Sequence, residues 1–220
     1  MKKYAAILLL LAGLCSTLSL SAHTINYALQ NAPATQVVGY YLKLGFEHII
    51  PTGPDHILFI AGLCLFSTKI NTILWQATAF TVAHTVTLGL SMKNIMVAPP
   101  AIVEPVIALS IMFVAVENML AKKLSRWRIV VVFLFGLVHG LGFASSLNEI
   151  GLPPDKFYTS VVAFNAGVEI GQIVVIAAMF TLLINRFKNK PWYKQRIIYG
   201  LSSVITLIAF YWTIERAINM

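Results

Sequence analysis

The sequence predicts an all-α membrane protein: about six transmembrane helices behind an N-terminal signal peptide, the first span broken at Pro51–Pro54. Three observations predict it. Hydrophobic residues make up 58% of the chain and charged residues 11%, where soluble domains carry about a quarter charged. Mean hydropathy is +0.80. Six apolar runs each approach or exceed the ~20 residues a bilayer-spanning helix requires. The formal net charge of +8 falls in short clusters between those runs, as in cytoplasmic loops, so no nucleic-acid partner is expected. Cys15 and Cys64, both inside apolar runs, form no CxxC or Cys/His spacing, which excludes a disulfide framework and a zinc finger.

In chain order, Lys2 and Lys3, the apolar run Tyr4 to Leu14 and the small, polar stretch Cys15 to Ala22 have the three regions of a secretory signal peptide. Cleavage after Ala22 is expected, although Leu20 is larger than the residue usual at that place; an uncleaved anchor is the alternative. Residues 23–36 then form a short periplasmic lead whose first residue, His23, would offer an amine and an imidazole to a metal. Residues 37–220 form a single six-helix domain.

The spans are predicted at about 38–67, 71–91, 101–121, 127–147, 157–184 and 194–215. The first contains GFEHIIPTGPDHILFIAGLCLF, from Gly45 to Phe66, where a Pro-Thr-Gly-Pro break separates Glu47 and His48 from Asp55 and His56. Non-helical backbone at membrane depth survives only where it is buried in protein or lines a wet cavity, so the break itself points to a site. With the mature N-terminus outside, inner loops carry Lys69, Lys122, Lys123, Arg126, Arg128, Arg186, Lys188, Lys190, Lys194 and Arg196. The outer side carries only Lys43, Lys93, Lys156 and Arg216. That asymmetry obeys the positive-inside rule and puts both mature termini in the periplasm of a bacterial inner membrane.

Five acids, Glu47, Asp55, Glu104, Glu117 and Glu169, and four histidines, His48, His56, His84 and His139, lie within or at the edges of spans. No Lys or Arg is expected mid-span to pair with them. Isolated charges there cost about 2.5–3.5 kcal/mol each, so such groups are paired, cavity-facing or bound to a cation. Imidazoles and carboxylates without fixed positive charge suit a divalent transition metal. At 1.5 Å per residue Glu104 lies roughly 5 Å below the outer surface, and His84, His139 and Asp55-His56 at roughly 10–12 Å. Glu169 falls near the midplane and Glu117 near the inner surface. Asp55, His56, His84 and His139 are therefore the expected primary ligands, with Glu104 at the entrance.

Supporting residues follow helical spacing. Asn165, Glu169 and Gln172 make one polar stripe on the fifth span, while Thr78, Thr81, His84 and Thr85 lie along one side of the second. Gly136 and Gly140 form a GxxxG pair that lets the fourth span approach a neighbour and carry His139 with it. Glu169, Asn165, Gln172, Glu117 and Glu47 form a second tier.

At these residues the chain resembles the HupE/UreJ family of membrane proteins, proposed nickel or cobalt permeases. The resemblance is carried by GFEHIIPTGPDHILF, FTVAHTVTL, VEPVIALS with VAVEN, FGLVHGLGFA and FNAGVEIGQ. In that family a His followed by Asp-His in the first span is associated with nickel transport, which implies His48, Asp55 and His56. Here six residues intervene instead of five. Of the family's second histidine motif, His139 alone carries over.

The expected function is a permease for a divalent transition metal, Ni2+ or Co2+ first and Zn2+ next. Its partners would be that ion and membrane lipid, with a partner subunit or a homo-oligomer open. No Walker loop is present. Two other classes use the same residues: a zinc-dependent intramembrane hydrolase, with Glu104 or Glu169 as general base and Ser110 nearby, and a protein that delivers metal to a partner.

Overall fold

Lipid leaves backbone N–H and C=O groups no partner but each other, so apolar runs of this length become helices. The computed structural model describes residues 29–121, 125 and 127–219. Among these the chain is helical and contains no strand. The expected leader, Cys15 and His23 lie outside the described residues.

Helix α1 (Ala34–Ile49) and helix α2 (Pro54–Phe66) are bent by 67° at the intervening break. Pro54 begins α2 because a first-turn residue needs no donor there, and Asp55 in that turn suits the positive end of the helix dipole. Helix α3 (Ile70–Met92), α4 (Pro100–Leu120) and α5 (Arg128–Ile150) follow. Helix α6 (Phe157–Ala178) continues through a π-helical stretch, Met179–Ile184, to Phe187. A second π-helical stretch, Tyr193–Ile198, leads into α7 (Tyr199–Ile218).

The segments Ile70–Met92, Pro100–Leu120, Pro154–Phe187 and Tyr193–Ile218 are long and apolar enough to cross a membrane. Counting the bent α1–α2 pair as one span makes five. Helix α5 occupies the position of the predicted fourth span, but its apolar part, Arg128–Ala144, is shorter. By length and apolarity the candidate spans among the described residues thus number four to five, where the apolar runs of the sequence predict six.

The helices pack chiefly as α1 on α6, α3 on α5 and α4 on α7, with α2 between α4 and α6. Backbone proximity is built in by glycine. A Cβ on Gly45 would strike the Phe164 carbonyl, and one on Gly167 the Leu42 carbonyl. The GxxxG pair acts likewise: Gly136 lies against Phe80 and Ala83, and Gly140 against His84 and Thr87, so α5 presses onto α3 at the level of His84 and His139.

Polar contacts identify the two faces of the bundle. Lys93 bonds Tyr158 (2.6 Å), and Lys156 reaches the carbonyls of Gln30 and Ala32 (3.2 and 3.0 Å). Arg216 reaches the Glu104 carbonyl (3.4 Å). The start of α1, the α3–α4 and α5–α6 connections and the end of α7 therefore share one face. At the opposite face Arg128, 3% exposed, bonds Gln76 Oε1 (3.0 Å), Glu117 Oε2 (2.6 Å) and Asn118 Oδ1 (3.5 Å). Asn118 passes its own amide hydrogens to the Gly62 carbonyl and Ser202 Oγ, so five helices meet at this knot.

Candidate metal centre

The break between α1 and α2 decides the geometry. A Cβ on Gly53 would strike the His48 carbonyl, and Thr52 folds back to hydrogen-bond the Glu47 carbonyl. The chain thereby turns tightly enough to set the His48 ring 4.6 Å from that of His56, centroid to centroid. His84 on α3 lies 6.0 Å from His48 and 6.1 Å from His56, and His139 on α5 lies 5.1 Å from His56.

One nitrogen from each of His48, His56 and His84 falls within 4.8 Å of the other two. Metal–imidazole bonds of about 2.0–2.1 Å place nitrogens roughly 3.4 Å apart on a tetrahedral ion, so shifts of about an ångström suffice to share one cation. His139 stands outside this trio, beyond His56.

Hydrogen bonds fix which nitrogen two of these rings present. Asn165 donates its Nδ2–H to the Val161 carbonyl (2.8 Å), so its Oδ1 accepts from His84 Nδ1–H (3.0 Å). The lone pair of His84 is therefore on Nε2. Ser110 gives its hydroxyl hydrogen to the Ile107 carbonyl (2.7 Å) and accepts from His139 Nε2–H (3.0 Å). The lone pair of His139 is on Nδ1. Both of these nitrogens, and Nε2 of His48 and His56, are buried without a hydrogen-bond partner among the described residues. A ligand imidazole held by its other nitrogen has this arrangement.

The surroundings are aromatic. Phe143 lies 3.9 Å from His48, Phe80 4.8 Å and Phe59 5.5 Å from His139, and Phe164 5.6 Å from His48. A cavity of about 490 Å³ connects the cluster with the face bearing the end of α7. His48, His56 and His139 line its floor, and Asp55, Glu104, Ser146 and Arg216 line the part nearer the helix ends.

The predicted acids fare differently. Asp55 forms a two-pronged ion pair with Arg216 (2.9 and 3.0 Å), so the expectation that no basic side chain reaches the intramembrane acids is corrected here. Glu117 is likewise paired, with Arg128, because that arginine begins α5 and folds inward instead of remaining in the loop. Glu104 lines the cavity. Glu169 accepts from Thr78 Oγ1 (2.6 Å) through Oε1, while its Oε2 is buried without a partner among the described residues. Gln172 accepts from Thr81 (3.2 Å), and its Nε2 has no partner among the described residues. Glu47 is half-exposed and pairs with Lys43 at 3.6 Å, away from the cluster. The structure thus brings together His48, His56, His84 and His139, with Asn165 behind them. It places Glu169 and Gln172 further along the same α3–α6 seam, and Glu117 in the opposite knot.

Sequence reasoning missed the role of Ser110 as the partner of His139 and the reach of Arg216. The signal for Ser110 was its isolation as a lone hydroxyl inside an apolar run.

The family model described as HupE / UreJ protein matches residues 23–216. No curated protein and no solved structure matches the chain.

Proposed function

The chain belongs to the HupE / UreJ protein family, and from that premise we propose that it is a divalent transition-metal permease, for nickel or cobalt first, that takes its cargo from the outer face of a bacterial inner membrane. The observation that carries this is the set of four buried imidazole nitrogens without a partner among the described residues, three of them on rings that line one cavity. Burying unpaired polar atoms costs stability, so such a set calls for a ligand. Neutral imidazoles select nickel, cobalt, zinc or copper(II) over magnesium and calcium, which prefer oxygen.

The donor set also favours cargo over a resident cofactor. Asp55, the carboxylate next to His56, is engaged by Arg216, so no free negative charge at the trio locks the cation in place. In the membrane orientation set by the loop charges, the cavity opens outward, and the Asn165–Glu169–Gln172 stripe leads the ion onward, with Glu169 the next anionic oxygen. Moving two charges inward is worth about 4.6 kcal/mol per 100 mV, enough to drive accumulation.

Uptake of labelled Ni2+, Co2+ or Zn2+ into proteoliposomes tests the proposal. Saturable uptake by the wild type and its loss in His56→Ala and His84→Ala are expected. Equal uptake in all three proteins would refute it.

A further inference from the structure

Resting on the permease proposal, we infer that Arg216 is a resident counter-cation that competes with the cargo for Asp55 and so sets how tightly the site holds its metal. Asp55 precedes His56 in the first turn of α2, and its carboxylate side chain lines the cavity that His48, His56 and His139 also line. Arg216 reaches it from the last turn of α7 with both terminal nitrogens, at 2.9 and 3.0 Å. The pair lines the same cavity as His48, His56 and His139. Its side chains are 20% and 19% exposed, so water and a hydrated ion can reach the contact.

The guanidinium has other places to rest. Nη1 already touches the Glu104 carbonyl, and the Trp212 ring lies 5.3 Å from its central carbon, a cation–π distance. A dication entering the cluster attracts the carboxylate and repels the guanidinium, which favours transfer of Asp55 from Arg216 to the ion. When the ion leaves, Arg216 reclaims the carboxylate. Without that competitor the site would hold a free carboxylate beside three imidazoles and retain its metal.

Affinity and turnover should therefore change in opposite senses. Binding of Ni2+ or Co2+ to the purified full chain in detergent is measured by isothermal titration, with initial uptake rate measured in proteoliposomes. Arg216→Gln should bind about tenfold more tightly and transport more slowly at saturating metal. Asp55→Asn, which leaves the arginine unpaired beside the cluster, should bind about tenfold more weakly. Arg216→Lys keeps the charge but not the two-pronged contact and should fall between wild type and Arg216→Gln, which also serves should the glutamine variant not fold. Unchanged or weaker binding in both Arg216 variants would overturn the inference while leaving the permease proposal intact. A wild type that binds neither metal would overturn both.

Discussion

Two clusters of buried polar side chains occupy this bundle, and they differ in what is left over. Around Arg128 the guanidinium is bonded through Nε, Nη1 and Nη2 to side chains from two other helices, and Asn118 hands its amide to two more. Around His56 four buried ring nitrogens have no hydrogen-bond partner among the described residues, and three of the four rings, those of His48, His56 and His84, can each bring a nitrogen within 4.8 Å of the other two. A satisfied network rigidifies a bundle, whereas an unsatisfied one costs stability until something binds. The first cluster therefore has the makings of a clamp for the fold, and the second those of a candidate metal site. The two arginines follow the same division: Arg128 is 2% exposed at the side chain and tied three ways, Arg216 is 20% exposed and tied chiefly to one carboxylate.

The sharpest way to break this comparison is to truncate Arg128. Arg128→Met should destabilise the protein by about 3–5 kcal/mol, because Glu117 is left as an uncompensated charge. Thermal unfolding in detergent measures it, and a melting temperature equal to wild type would show that the knot is not the clamp. His56→Ala should do the reverse. Metal affinity should fall about a hundredfold, the upper end of what losing even a supporting partner costs, while the melting temperature of the metal-free protein stays close to wild type.

A smaller effect is expected from the residues that orient the rings. Asn165→Leu removes the acceptor that keeps the His84 proton on Nδ1, and Ser110→Ala removes the corresponding partner of His139. Each should weaken Co2+ binding about tenfold, read from the visible absorption of the bound ion, with the Asn165 variant the stronger because His84 belongs to the trio. Smallest of all, Lys43→Ala breaks an exposed i,i+4 contact outside both clusters. It should change stability by less than about 0.5 kcal/mol and uptake not at all.

Much of this organisation was legible in the sequence because it is written in period and composition. The Pro51–Pro54 break, the helical runs and the common level of His56, His84 and His139 all follow from spacing along a rod of known rise. The glycines of α5 announced close packing before its partner was known. What spacing does not encode is how helices are rotated about their axes and how far a long side chain reaches across. Arg216 sits near the end of a span, where a loop charge and a cavity-lining charge look alike, so its pairing with Asp55 was invisible. Arg128 looks like an inner-loop charge in the sequence for the same reason, and Glu117 like a second-tier group near the inner surface. The hydrogen bonds that settle the histidine tautomers depend on Ser110 and Asn165 meeting rings from other helices, which only three-dimensional packing decides.

The central claim is that imidazoles from separate helices meet on one cation, and X-ray absorption at the metal edge tests it most directly. Protein loaded with one equivalent of Co2+ or Ni2+ should show multiple-scattering from at least three imidazoles, reduced by one in His48→Ala, His56→Ala or His84→Ala. A first shell of oxygen alone, or one indifferent to those three substitutions, would contradict the account.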